Sequence, residues 1–223
     1  MITITSQRAP RRDAAVNRES LLAAARVVFN HDPNASLETV AAEAGLSRRS
    51  VYGHFANRDD LLLELVTAGA RRVASALESV THPDPLTRLA LIASNLWREV
   101  ESVRVMAVVA VRGPLAHHIA GTLGVIRSTV LTAIIEGQAD GSMRSDLTAE
   151  RLARLVEGTA LVVLEESTEH PPSARVSAHD GNRLAMLMML AVVGLGWHDA
   201  GAFIDGTPEL AWPESQPNPG PGQ

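Results

Sequence analysis

Between Gly45 and Leu62 the chain reads GLSRRSVYGHFANRDDLL, and the side chains there that could do chemistry are hydrogen-bond and charge donors rather than nucleophiles. Arg48 and Arg49 follow Ser47, a type that caps helix starts, and Tyr52, His54 and Arg58 come just after them. Two cations at a helix start oppose the helix dipole, which costs stability unless an anion is coming. Guanidinium groups in that position reach guanine O6 and N7 bidentately. Tyr52, His54 and Arg58 have the types that donate to phosphates, aided by the free backbone N–H groups of capped helix starts. Gly53 lowers helix propensity by about 1 kcal/mol relative to Ala, and its missing side chain lets a DNA strand come close. The arginines alone are equally compatible with a solvated surface; the whole constellation points to DNA.

The elements that must position these residues are short capped helices. Asn17 can cap a helix in which Leu21, Ala24, Ala25, Val28 and Phe29 share one face. HDPNAS ends it at Pro33. Ser36 caps a second helix, LETVAAEA, which stops at Gly45; Ser47 caps the third, and Val51 and Phe55 turn its other face to a small core. Asn57 caps a fourth that begins RDDLLLELV, with Asp59 and Asp60 where the dipole favours acids. A Gly-containing turn between the second and third helices makes a helix-turn-helix layout. The N-terminal residues of its second helix meet base edges in the major groove.

Beyond THPDP the pattern changes to long aliphatic helices, expected at 85–101, 103–111, 114–136, 149–168 and 176–198. QADGSMRSD and EHPPS read as connections, and the Pro/Gly-rich residues 205–223 as a disordered tail. No repeat and no strand-period segment is present. The expected fold is therefore all-α. Its parts are a flexible basic arm (1–16), a three-helix DNA-binding domain (17–66) joined by a long fourth helix to a larger helical domain (67–204), and the tail.

Composition narrows the function classes. The chain of 223 residues has no Cys, which excludes disulfides, thiolate metal sites and Cys nucleophiles. All 20 basic residues are Arg, a bias that genomic base composition explains as readily as function. Net charge is −5, but residues 1–60 carry +1 and residues 61–223 carry −6. Only the front would not repel a polyanion. It includes Arg8, Arg11 and Arg12, an accessory basic cluster. No secretory signal pattern is present, and the longest apolar run, Leu184 to Trp197, is shorter than a bilayer span, so a cytoplasmic protein is expected. No nucleophile-elbow or P-loop pattern supports an enzyme. His117 and His118, adjacent on one helix, point about 100° apart, a poor start for chelation. No metal and no cofactor are expected. Glu165, Glu166 and Glu169 read as a solvated face, or as the edge of a cavity mouth.

Residues 18–66 resemble the N-terminal domain of the tetracycline-repressor (TetR) family of bacterial transcriptional regulators. Ala23, Ala24 and Phe29 match the first helix; Val40, Ala41, Ala44, Gly45, Leu46 and Ser47 match the turn; Tyr52, His54, Phe55 and Arg58 match Tyr-x-His-Phe-x-x-Lys. Two departures stand out: the link after Phe29 is short and lacks the usual glycine, and Arg58 replaces Lys. The resemblance implies base reading by Arg48, Arg49 and Ser50 and phosphate contacts from Tyr52, His54 and Arg58. Ser36, Thr39, Ser47 and Gly53 complete the expected DNA-binding set. Ile134 to Gly158 is similar to the segment leading into the family's dimerising helices. Apolar stripes on the last two helices (Leu152, Leu155, Val156, Thr159, Val162 and Val163; then Leu184, Leu187, Met188, Ala191 and Leu195) would meet a second copy, with Leu155, Val162, Leu187 and Ala191 at the interface. The family's larger domain holds a small-molecule cavity, for which Trp97, Arg104, Met106, Arg112 and His117 are the candidate lining groups; Trp97 fits plain core as well. The expected function is that of a homodimeric repressor released from a palindromic operator by a small-molecule effector. The alternative is a DNA-binding regulator without one, constitutive or controlled by a protein partner.

Overall fold

The computed structural model describes residues 9–169 and 177–212, which form helices joined by turns, with no strand among them. Arg8, the side chains of Arg11, Arg12 and Glu169, the EHPPS connection beyond residue 169 and residues 213–223 lie outside the described set.

The first helix, α1 (Ala9–His31), is longer than expected. Residues 9–16 are helical rather than a flexible arm, with Pro10 in the first turn, where its missing N–H has no helical partner to lose. Asn17 therefore lies inside the helix and is no cap. The other three caps form as their residue types predict. Ser36 starts α2 (Leu37–Glu43) by accepting from the Thr39 N–H. Ser47 starts α3 (Arg48–His54) by accepting from Ser50, and Asn57 starts α4 (Arg58–Glu78) by accepting from Asp60. Gly45 takes φ +67°, a left-handed conformation that a side chain resists. The chain reverses there, with the Leu46 N–H donating to the Ala41 carbonyl at 2.8 Å.

After α4 come α5 (Pro85–Val100), α6 (Arg104–Arg112), α7 (Ala116–Ala139), α8 (Ala149–Glu169), α9 (Ala178–Val192) and α10 (Trp197–Gly206). Asp84 caps α5, accepting from the Thr87 N–H at 2.7 Å and hydroxyl at 2.6 Å. By length and composition α7 could cross a membrane. It packs against α4, α5 and α8.

The expected helix 176–198 is two helices. Gly194 takes φ +116°, and Leu195 donates back to the Leu190 carbonyl, closing α9 before α10 begins. The unbroken apolar letters LAVVGLGW conceal this, because Gly194 and Gly196 supply the break while Val193 stays in the core. Residues 205–212, expected in a disordered tail, are ordered: α10 runs to Gly206, Leu210 is buried, and Arg98 lies 5.2 Å over the Trp212 ring. Burial of Leu210 and partial burial of Trp212 outweigh the Pro/Gly-rich composition.

The buried residues form two cores. One, around Leu21, Phe29, Val40, Val51, Phe55 and Leu61, unites α1–α4 and also takes in Met106, Ala110 and Ile119 from α6 and α7. The other fills the space between the end of α4, α5 and α7–α10. The two halves thus share α4 and are also joined by α6 packing under α1. Asn30, near the end of α1, donates to the Ser102 carbonyl and accepts from the Val105 N–H, both at 3.1 Å.

Candidate functional site

Helix α3 stands on the small core through Val51 and Phe55, which are buried, and turns its polar residues outward. Arg48, Arg49, Tyr52 and Gly53 are exposed and His54 is half-buried. Arg49 has no hydrogen bond or ion pair among the described residues. Nothing lies within 4 Å of where a Gly53 Cβ would stand, so the fold itself does not require glycine there. Ser36 and Thr39, whose hydroxyls are 3.1 Å apart, occupy the exposed start of α2. Ser47 is likewise exposed, and Ser50 half-buried.

Glu38, absent from the expected set, organises this surface. Its carboxylate pairs with Arg48 at 3.2 Å and accepts from the Tyr52 hydroxyl at 3.0 Å, and the Arg48 guanidinium lies 5.5 Å over the Tyr52 ring. Hydrogen bonds from its own backbone N–H and then from Tyr52, with Ser36 and the Arg48 charge adding to them, hold the carboxyl below its ordinary range. No spacing rule relates residues 38 and 48; they meet only because the turn at Gly45 folds α2 against α3.

Arg58 is placed differently from the phosphate contact expected of it. Its Nε donates to the Ala35 carbonyl at 3.0 Å, a terminal nitrogen donates to the Pro33 carbonyl, and the guanidinium lies 5.1 Å over the Phe29 ring. Both departures from the family pattern are thereby connected. The short link without glycine leaves carbonyls at Pro33 and Ala35 that no helix satisfies, and a forked guanidinium bonds both, which a single ammonium does less well. Arg18 makes a similar brace: it pairs with Glu64, donates to the His54 carbonyl at 3.3 Å and lies 4.7 Å over Phe55, tying α1 and α4 to the end of α3.

A second feature lies between the helices. A cavity of about 550 Å³ is lined from α1 and from α4 to α9. Trp97 and Met106, two of the candidate lining groups, line it. The other three candidates do not. Arg104 lies over the Trp97 ring at 5.5 Å, and Arg112 pairs with Glu165 at 2.6 Å. The bond to Glu165 raises the Arg112 pKa, and it removes Glu165 from a merely solvated face. His117 is exposed beside His118, ring centroids 3.8 Å apart. Polarity in an aliphatic stretch was the signal for these three, but helix phase turns Arg112 and His117 outward and leaves Arg104 half-buried over Trp97, outside the lining. The lining residues Glu19, Leu22, Ala23 and Arg26 come instead from α1, within the half built by α1–α4. Trp97 also belongs to the core: its Nε1 donates to the Ala178 carbonyl at 2.9 Å, and its ring lies where a Cβ on Gly181 would be. Among the described residues no group of three or more His, Asp or Glu is arranged to hold a metal.

On the outer side of α8 and α9, Leu155 and Val162 are 47% and 57% exposed, with Met188 and Ala191 also exposed. Leu187 is half-buried and packs into its own subunit's core.

Comparison with known proteins places this geometry. Residues 21–65 match the family model of bacterial regulatory proteins, tetR family. No curated protein matches the chain. Among solved structures, a tetR-family regulatory protein from Rhodococcus RHA1 aligns with TM-score 0.66 at 19% identity, covering 86% of this chain and 100% of its own. FadR from Bacillus subtilis, in complex with stearoyl-CoA, aligns with TM-score 0.63 at 16% identity, covering 79% and 97%. SmeT, repressor of the Stenotrophomonas maltophilia multidrug efflux pump, aligns with TM-score 0.61 at 22% identity, covering 92% and 97%. At these identities the likeness of the solved structures is one of fold. The family match falls on the segment that builds the helix-turn-helix surface, and the fold agrees along the rest: residues 21–65 form a helix-turn-helix domain like that of the tetR-family regulatory proteins, in a chain that shares the fold of solved tetR-family regulators.

Proposed function

We propose that the chain is a homodimeric repressor that leaves a palindromic operator when a small molecule fills the cavity. One observation carries this reading: α4 begins beside the recognition helix and then lines the cavity with Leu65, Val66, Ala70 and Val73. An occupant that displaces α4 shifts α3 with it, so ligand and operator disfavour each other by one coupling energy. The neighbours lend support of the same kind, since FadR holds stearoyl-CoA and SmeT is a repressor.

In this reading Arg48 and Arg49 contact bases with Ser50 beside them; Tyr52 and His54 bind phosphates; and Ser36, Thr39 and Ser47 meet the DNA backbone at the starts of α2 and α3, while Gly53 admits it closely. The DNA-binding part ends within α4 near residue 66, and the rest serves ligand binding and dimerisation. Leu155, Val162, Met188 and Ala191 form the contact with the second copy. Two recognition helices then meet half-sites about 34–36 Å or a further turn apart.

The test is operator selection from random duplexes followed by fluorescence anisotropy. The expected site is a palindrome, and Arg49→Ala is expected to lose about 1–3 kcal/mol of preference for it over random DNA. Selection of a non-repeating site, or an Arg49→Ala protein with full discrimination, refutes the reading.

A further inference from the structure

We infer that the cavity takes an amphiphile with a long apolar chain, its acidic head group held by Arg26 at the α1 end; this rests on the ligand-released reading above.

The interior chemistry selects the chain. Every buried residue lining the cavity is Ala, Val, Ile, Leu, Met or Trp. The single Trp, Trp97, has its N–H already bonded to the Ala178 carbonyl. A ligand body with hydroxyls, amides or charges would give up its hydration there and gain no partner. Sugars, nucleotides and amino acids are excluded on that ground. With one aromatic ring in the lining, the walls offer no slot for a stacked planar cation either. What remains is a hydrocarbon body whose polar group stays at an opening.

The openings lie where lining residues are exposed. At the α7–α8 end Arg127 and Glu157 neutralise each other through bonds of 2.7 and 2.9 Å, which raise the Arg127 pKa. At the α1–α4 end Arg72 is paired with Glu99 at 2.6 Å. Arg26 is exposed, lines the cavity and has no bonded partner among the described residues. Glu19, the acid at this end, is two helical turns before Arg26, about 10 Å along α1 and too far to pair with it. A forked guanidinium beside an apolar opening suits a carboxylate or phosphoryl head. The occupant would also touch Leu22 and Ala23, so it would press on α1, a helix of the DNA-binding half, as well as on α4.

The experiment is isothermal titration of the full chain with decanoate, dodecanoate and tetradecanoate, with tetradecanol and tetradecyltrimethylammonium as head-group controls. Affinity is expected to rise about fourfold per methylene, and the carboxylate to exceed the alcohol by about tenfold. Arg26→Gln, a surface change, is expected to remove the preference for carboxylate over alcohol and leave the chain-length increment. Ala107→Trp, which fills the cavity, is expected to abolish binding. The inference is overturned if affinity does not grow with chain length, if the ammonium binds as well as the carboxylate, or if Arg26→Gln keeps the carboxylate preference. Operator release, read in the same samples by anisotropy, separates the two readings. Amphiphile bound with the operator retained refutes ligand release and upholds the ligand class. Release by some other compound, with no amphiphile binding, does the reverse.

Discussion

Glu38 on α2 and Arg48 on α3 form an ion pair of 3.2 Å across the turn that separates the two helices. The same carboxylate holds the Tyr52 hydroxyl, so a side chain that would repel phosphate keeps two proposed DNA contacts in place before DNA arrives. Glu38→Ala is expected to strengthen binding to random duplexes, by removing a negative charge from the interface, and to weaken discrimination, by freeing Arg48. Anisotropy titrations against operator and random DNA check this; an unchanged ratio between them would falsify a positioning role.

The Glu38 carboxyl sits below its ordinary value of 4.5, so its ties are complete above that pH and are lost as pH falls through the lowered folded-state value. Discrimination is therefore expected to show no step from this group between about pH 5 and 8. A carboxylate NMR titration of Glu38 should place its midpoint under 4.5 in the free protein and nearer the ordinary value in Tyr52→Phe.

Arg58 holds the link between α1 and α2 by two carbonyls. Arg58→Ala is expected to lower stability by about 1–3 kcal/mol, the usual range for two lost hydrogen bonds, as read by urea unfolding. The salt slope of DNA binding should stay unchanged in that variant. A lower slope for Arg58→Ala at wild-type stability would return Arg58 to the DNA.

Gly181 lies against the Trp97 ring so closely that a Cβ there would overlap it. Gly181→Ala is expected to cost about 1–3 kcal/mol through displacement of the indole, and to narrow the cavity that the indole lines. Thermal melting and tryptophan emission follow the two effects; wild-type values in both would show that the ring yields freely.

Leu155→Glu and Val162→Glu should sediment as folded monomers that no longer bind a palindrome, since both side chains are exposed and seven residues apart on α8. Leu187→Glu is a different experiment. That residue packs into its own core, so a charge there should lower the melting temperature in monomer and dimer alike. Dimers of the two α8 variants would move the interface elsewhere.

Local interactions carry local signals, and these were legible in the chain. Ser36, Ser47 and Asn57 start their helices because each bonds a backbone N–H three residues ahead, and Gly45 turns the chain because a side chain resists its φ. The apolar period placed Val51 and Phe55 inward and therefore Arg48, Arg49 and Tyr52 outward. What the period could not supply was the phase of one helix against another. Arg104, Arg112 and His117 looked like lining groups because they are polar among aliphatics, yet the helix packing points the cavity at Trp97, Met106 and, from the distant α1, Arg26. Glu38 meets Arg48, and Arg58 meets Pro33 and Ala35, across separations that no sequence spacing encodes. Helix identity follows from neighbours along the chain, whereas partner choice follows from whichever surfaces bury the most apolar area together, and that was decided only by the tertiary structure.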